Sequence, residues 1–287
     1  MRSLKEYYWL LESFIYESYA RGMRVKRALV MHNLEAPLIV SFTSYPPRFA
    51  KLHLTIKSIL NQSIRPDKIM LWVAEADFAA LTDEVLLLSK NNNDFEIKCC
   101  ENIRSYKKLI PTLTFHPEAF VAIADDDAYY STNWLHQLTS CYTDSSQIIA
   151  HRTHKVAYDT NCIFPYQQWA QTSNGTNNDV LMATGVGGVL YPPGCFNEKV
   201  LEKDLFMELC PTADDIWFFW MSRINGVKTV MTPHKTNTVC WIGTHDSGLA
   251  QTNVAHNGND VCLNNLINSF GLDEILDTFP KKSKKEH

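Results

Sequence analysis

The chain has 287 residues, 27 Lys plus Arg against 31 Asp plus Glu, a formal net charge of −4 and 45% hydrophobic residues. That balance belongs to a folded globular protein with enough chain for one large domain or two coupled ones, and it excludes disorder and collagen. A slightly acidic chain without a basic stripe does not suit a dedicated nucleic-acid binder, so no nucleic acid is expected and any anionic ligand must be held locally.

Residues 4–20 place Leu4, Tyr7, Tyr8, Leu11, Phe14 and Ile15 at helical spacing, and Arg21, Arg24, Lys26 and Arg27 follow at once. Such a helix either docks on its own domain or presents its apolar face to a membrane surface or partner, helped by Lys281, Lys282, Lys284 and Lys285 in the tail. Glu12 and Glu17 interrupt the apolar run, so it does not read as a signal peptide. No stretch approaches the roughly 20 apolar residues of a membrane span. The expectation is a cytoplasmic protein, with peripheral contact on the inner face of a membrane left open. The eight cysteines form no CxxC pair and no zinc-module spacing, which predicts reduced, mostly buried thiols.

From Pro37 the pattern changes. Leu38 to Phe42 is a short apolar run ended by Thr43-Ser44-Tyr45-Pro46-Pro47-Arg48, which reads as strand then loop. Phe49, Leu52, Ile56, Ile59 and Leu60 fall at helical spacing, and a break at Asn61 to Pro66 leads into a second strand, Ile69 to Val73. A helix over about 78–90, a strand over about 95–100 and a buried strand, Phe120 to Ala124, continue the alternation. Alternation of this kind predicts an α/β fold with a mostly parallel central sheet flanked by helices. Ligands of such sheets bind outside the carboxyl ends of the strands, so functional residues are expected just after Phe42, Val73, Cys100 and Ala124. The second half is less regular. It offers turns at Ser173 to Asn178 and Pro192 to Gly194, a strand over Thr184 to Tyr191, and a strong helix near 213–225 with Thr212 as its N-cap and Gly226 as its terminator.

Asp125, Asp126 and Asp127 follow the buried strand directly. Three adjacent carboxylates repel one another, so they need compensating donors or a cation. Side chains two apart on an extended strand share a face, so Asp125 and Asp127 can converge on one ligand. Hard oxygen donors suit magnesium or manganese, which keep positions open for substrate phosphates. A solvated acidic turn is the alternative, and placement at the carboxyl edge of the sheet weighs against it.

The runs PLIVSFTSYPPRF, SYKKLIPTL, FVAIADDDAYYSTNWL, ATGVGGVLYPPG and CPTADDIWFFW, in this order, resemble a bacterial glycosyltransferase of the family 2 kind with the GT-A fold. The resemblance covers roughly residues 37–250. It implies a nucleotide-sugar donor, a uridine diphosphate sugar by preference, bound through a divalent metal, manganese or magnesium. By resemblance Asp127 is a metal ligand, Asp125 faces the ribose or the metal, and Asp126 completes the donor-side triplet. Thr43, Ser44, Tyr45 and Arg48 stand where similar enzymes hold base, ribose and phosphate, and Glu75 where a polar nucleoside contact is often added. Lys107 or Lys108 would neutralise diphosphate charge, with spacing leaving open which one points inward. Gly185, Gly187 and Gly188 would let the backbone approach a sugar, although a plain bulge explains them equally. His245 would complete the metal shell, with His256 as its competitor.

Resemblance to inverting GT-A enzymes makes one carboxylate of Asp214-Asp215 the catalytic base: Asp215, with Asp214 orienting an acceptor hydroxyl. Trp217, Phe218, Phe219 and Trp220 read as core; Trp134, Tyr129 and Tyr130 divide between core and sugar platform. The implied partners are the donor and a glycan or lipid-linked glycan acceptor of a bacterial surface polysaccharide. The implied organisation is a helical extension (1–36), a nucleotide-sugar half (37–127), an acceptor and catalytic half (128–270) and a basic tail (271–287). A retaining mechanism stays open, as do a nucleotidyltransferase and a non-catalytic carbohydrate-binding or scaffold protein. A Rossmann dehydrogenase is disfavoured, since no GxGxxG opens a helix after the first strand.

Overall fold

The structure is a computed structural model that describes residues 4–172, 179–234, 238–244, 253 and 257–281. The first helix, α1 (Leu4–Gly22), precedes the alternating unit β1 (Leu38–Thr43), α2 (Phe49–Leu60), β2 (Lys68–Ala74), α3 (Asp83–Asn91) and β3 (Phe95–Cys100). Then come α4 (Ile110–Phe115), β4 (Phe120–Ile123), β5 (Ala128–Tyr129), α5 (Trp134–Thr139), β6 (Gln147–Ala150), β7 (Thr153–Lys155), β8 (Ala170–Thr172), β9 (Leu181–Ala183) and β10 (Val189–Tyr191). The chain continues through α6 (Lys203–Leu209), α7 (Asp214–Ile224), β11 (Lys228–Met231), β12 (Val239–Cys240), α8 (Gly258–Phe270) and α9 (Leu272–Leu276).

Among the described residues seven strands form the main sheet in the order β11-β6-β10-β4-β1-β2-β3. Strands β4, β1, β2 and β3 are parallel, β10 runs antiparallel to β4 and β6, and β11 is parallel to β6. The expected mostly parallel sheet is therefore present. The pleat divides its side chains between two cores. Val121, Ile123, Val189 and Tyr191 face the cluster built on Trp217 and Phe218 of α7, whereas Phe120, Ala122 and Leu190 face the cluster built on α2 and α5. Both faces are covered, which is why these strands read as continuous apolar runs. Trp217, Phe218, Phe219 and Trp220 are all buried core, as expected.

Three expectations differ locally. The helix expected from 78 begins at Asp83, because Glu75–Ala80 form a 3-10 turn and Leu81 and Thr82 are extended before Asp83 and Glu84 open the first helical turn. The strand expected over Thr184 to Tyr191 is divided: β9 ends at Ala183, Gly185–Gly187 form a 3-10 turn, and β10 starts after Gly188, whose φ of +95° breaks strand geometry. Helix α7 is capped from Ala213 with no side-chain hydrogen bond, so Thr212 stands one residue too early to serve as N-cap; Gly226, at φ +78°, follows the helix end as expected.

Helix α1 docks on the domain through one face. Ala20 is buried with Leu54 and Trp241, and the Tyr16 ring lies 4.9 Å from that of Tyr129. Lys51 ties Glu17 (2.8 Å) to the carbonyl of Ile242 (2.7 Å), and the Lys57 ammonium donates to the Arg21 carbonyl (3.0 Å) near the helix end. Among the described residues no helix is long and apolar enough to cross a membrane. The eight cysteines are free thiols, and Cys195, Cys210, Cys240 and Cys262 are buried.

Candidate active site

The loops leaving the carboxyl ends of β1, β2, β3 and β4 wall a cleft of about 840 Å³. Ser44 and Arg48 come from the first loop, Asp77 from the second, Lys107 and Lys108 from the third and Asp125, Asp126 and Asp127 from the fourth. The opposite wall consists of Arg152, His154 and Tyr166, the Gly185 turn, and Asp214 and Asp215 at the start of α7. The cleft thus lies at the strand ends where the alternation of elements placed it.

The triplet is built asymmetrically. Asp126 accepts hydrogen bonds from the Ser44 hydroxyl (2.5 Å) and from Arg48 Nη1 (2.5 Å), while the Thr55 hydroxyl donates to its backbone carbonyl (2.9 Å). Ser44 and Arg48 are thereby engaged in bracing the middle aspartate. Burial pushes the Asp126 carboxyl up, and Arg48 opposes that push. Asp127 has a longer contact from Arg48 Nη2, 3.3 Å, and a side-chain hydrogen bond with Thr244. Burial and then the charge of Asp126 push it up to about 7, against the pull of Arg48. Its backbone carbonyl accepts the Trp241 N–H at 2.9 Å. The Asp125 N–H donates to the Tyr130 hydroxyl oxygen at 2.7 Å, and its carboxylate reaches Lys108 Nζ at 3.3 Å.

The second acidic pair opens α7, where the helix dipole favours negative charge. Lys108 Nζ stands 3.1 Å from Asp214 Oδ2, so one buried ammonium joins the end of β4 to the start of α7. Burial alone would lower the pKa of this lysine, but Asp214, Asp125 and Asp215 hold it well above the ordinary lysine range. Both carboxylate oxygens of Asp215 lie 3.2 Å from the Gly185 N–H, which donates to them. Burial and then the charge of Asp214 push Asp215 up to about 7, with Lys108 opposing. A Cβ added at Gly185 would meet Lys108 Nζ at 2.8 Å, Asp215 Oδ1 at 3.4 Å and Asp125 Oδ1 at 3.5 Å. The two acidic clusters therefore converge on one bare backbone position.

The other expected residues divide. The Thr43 hydroxyl donates to the Trp72 carbonyl at 2.8 Å, and the Arg48 guanidinium lies 5.6 Å from the Tyr45 ring centroid; both residues line the cleft. Both lysines of the pair face it: Lys108 bridges the acids, and Lys107 donates to Asn102 Oδ1 at 3.3 Å, its pKa lowered by burial. Glu75 is exposed on its 3-10 turn and does not line the cleft, whereas Asp77, two residues later, does. Gly187 and Gly188 serve packing. A Cβ at Gly187 would meet the Arg152 Cβ at 2.9 Å, and one at Gly188 would enter the Trp134 indole at 2.3 Å. Trp134 is buried there and donates to the Gly187 carbonyl at 2.9 Å; Tyr129 packs against α1. His245 and His256 lie outside the described residues.

Arg152, His154 and Tyr166 were not singled out from the sequence. The available signal was the polar run His-Arg-Thr-His following the apolar segment Ile148 to Ala150. The His154 ring lies 5.3 Å from that of Tyr166, and among the described residues neither of its ring nitrogens has a hydrogen-bond partner. Burial lowers its pKa to about 4, so the imidazole is neutral.

Among the described residues no set of three His, Cys, Asp or Glu side chains is arranged to hold a metal ion. The donor chemistry nevertheless fits a divalent cation completed by substrate oxygens. Five carboxylates gather here, and among the described residues the ion pairs of Asp125, Asp126, Asp127 and Asp214 go to Arg48 and Lys108; burial and then the charge of Asp126 push Asp127 up, which a bound cation would offset.

No protein-family model and no curated sequence matches the chain. Among solved structures, the mannosyltransferase PcManGT from Pyrobaculum calidifontis, in complex with GDP-Man and Mn2+, is similar with a TM-score of 0.52 and 14% identity, over 93% of this chain and 76% of that one. The inositol-1-phosphate CTP transferase from T. maritima gives a TM-score of 0.42 at 10% identity, over 80% of this chain and 98% of that one. The first likeness shows the fold, an α/β arrangement of the GT-A type.

Proposed function

We propose that the protein is a metal-dependent glycosyltransferase that moves a sugar from a nucleoside diphosphate donor to a hydroxyl of a glycan or lipid-linked glycan. The observation that carries this reading is the convergence of two acidic clusters, one at the end of β4 and one at the start of α7, on the Gly185 turn. The first has the chemistry to hold a cation and the second to hold a proton. Asp127 and Asp125 are the residues that would ligate manganese or magnesium, with the diphosphate and water filling the remaining positions. Such an ion would stabilise negative charge developing on the diphosphate.

The chain's own residues account for the rest. Asp215, poised near neutrality, accepts the proton of the attacking hydroxyl as the new bond to the anomeric carbon forms and the old bond to the diphosphate breaks, its electron pair leaving on phosphate oxygen. Asp214, held by Lys108, orients that hydroxyl. Lys107 supplies positive charge towards the diphosphate, and the Ser44–Asp126–Arg48 brace fixes the triplet. Attack from the Asp215 side, opposite the leaving group, makes the reaction inverting. A PcManGT structure that carries a nucleotide sugar and Mn2+ on a similar fold supports the donor class.

A nucleotidyltransferase would favour a glycine-rich basic loop after β1, and Thr43-Ser44-Tyr45-Pro46-Pro47-Arg48 contains no glycine. The discriminating experiment incubates the purified protein and Mn2+ with UDP- and GDP-sugars in one arm and with nucleoside triphosphates plus sugar 1-phosphates in the other. Release of nucleoside diphosphate in the first arm is the expected result. Pyrophosphate release confined to the second arm would replace this reading with nucleotidyl transfer.

A further inference from the structure

We propose that α1 is a surface anchor that lays its outer face on an anionic lipid bilayer. The helix has two apolar faces, and the structure uses one of them. Trp9, Ser13, Tyr16 and Ala20, spaced three and four apart, form the inner face; Ser13 and Ala20 are fully buried, and Tyr16 packs on Tyr129. On the other side Tyr7, Tyr8, Leu11, Phe14, Ile15 and Tyr19 are 55–71% exposed. At 1.5 Å rise per residue they form a stripe about 18 Å long. No charged residue interrupts it. Glu12 is half-buried, and Glu17 is tied to Lys51 and Arg21. A contiguous apolar patch of this kind on a water-facing helix marks a binding surface.

Composition and charge select the occupant. Three of the six exposed side chains are tyrosines, whose rings suit the headgroup level of a bilayer and whose hydroxyls stay in water. The stripe ends in Arg21, Arg24 and Lys26, and the last two are exposed with no ion pair among the described residues. Arg27 instead turns inward to Asp94 and the Leu60 carbonyl. The connection that leaves the helix adds Leu29 at 96% exposure and Val30 at 63%. A chain of net charge −4 thus borders its apolar helix with local positive charge, the pairing that draws an amphipathic helix to anionic lipid.

The inner face connects this anchor to the cleft. Ala20 packs on Trp241, Lys51 joins Glu17 to the Ile242 carbonyl, and the Trp241 N–H bonds the Asp127 carbonyl. A bilayer held by the outer face of α1 is therefore separated by this helix alone from the segment that supports the acidic triplet. This inference does not depend on the reaction proposed above.

The test is co-sedimentation of the full chain with vesicles of phosphatidylcholine, with and without about 30 mol % phosphatidylglycerol. The chain should pellet with the anionic vesicles and release at high salt. The triple variant Leu11→Ser, Phe14→Ser, Ile15→Ser should bind at least tenfold more weakly, with nucleotide binding unchanged. Arg24→Glu with Lys26→Glu, which leaves the apolar stripe intact, should lose the preference for anionic lipid. Failure of the wild-type chain to pellet overturns the proposal, as does pelleting that both variants retain. Concentration-dependent dimerisation abolished by the triple variant, without vesicle binding, would assign the face to a second copy of the chain and overturn it equally.

Discussion

Lys108 Nζ lies 3.1 Å from Asp214 Oδ2, with both side chains buried and the same ammonium 3.3 Å from Asp125. A lysine in this position serves as the charge balance between the end of β4 and the start of α7, two segments well separated in sequence. Lys108→Met would leave Asp214 buried without its ion pair and Asp125 without its cation, and breaking a buried pair costs about 3–5 kcal/mol. Denaturant unfolding should show a loss of that size near pH 8 and a smaller loss near pH 5. The sign follows from Asp215, whose raised carboxyl Lys108 holds down: without the lysine it rises further, and stability present at low pH is lost as pH rises towards the raised value. A variant as stable as wild type at both pH values would show that Lys108 is not a buried partner.

As the proposed base, Asp215 should set the pH dependence of turnover. A base pushed up to about 7 is protonated below that value, so kcat/KM should fall as pH drops through 7. Asp215→Asn keeps an oxygen acceptor for the Gly185 N–H, cannot take the proton, and should reduce turnover by about 100- to 10,000-fold. Because a carboxyl with a raised folded pKa loses its stabilising contribution as pH rises from 3.8 to about 7, the same variant should be more stable than wild type near pH 8. A pH–rate profile flat between 6 and 8, at saturating metal, would remove Asp215 from the role of base.

The Gly185 turn should tolerate no side chain. Gly185→Ala places a methyl 2.8 Å from Lys108 Nζ and within 3.5 Å of Asp215 and Asp125, so it should cost at least tenfold in activity. Its control is Gly22→Ala at the end of α1, where an added Cβ meets nothing within 4 Å; activity there should be unchanged. Equal activity in the two variants would mean that the clusters need not meet at this turn.

Gly188 tests packing without chemistry. Its φ of +95° and the Trp134 indole at 2.3 Å from an added Cβ make Gly188→Ala both strained and overpacked, worth about 3 kcal/mol or more in thermal unfolding. A thermal midpoint within a degree of wild type would contradict that account.

The first half of the fold was legible because its signals are long and regular. Phe49, Leu52, Ile56, Ile59 and Leu60 repeat over a full twelve-residue helix, and β1, β2 and β4 are uninterrupted apolar runs. The second half hides its strands in three-residue pieces, β7 to β10, too short for periodicity to register. That is where Arg152, His154 and Tyr166 reach the cleft from. The acidic clusters could be found because carboxylates at a strand end or a helix start are conspicuous. Their joining through Lys108, and the bracing of Asp126 by Ser44 and Arg48, depend on tertiary contacts between residues 17 to 106 positions apart. Helix α1 shows the same limit: its spacing gave the apolar residues that remain exposed, while small Ala20 and Ser13, which carry little hydropathy signal, make the docked face.

The most direct test of the central claim is calorimetric titration of the wild-type protein and Asp127→Asn with UDP and GDP, each with Mn2+ and again with chelator. The account predicts binding of one diphosphate that needs Mn2+ and is lost in Asp127→Asn, while Asp215→Asn retains it. Binding of equal strength with chelator, or unchanged in Asp127→Asn, would contradict a metal-assisted donor site at the end of β4.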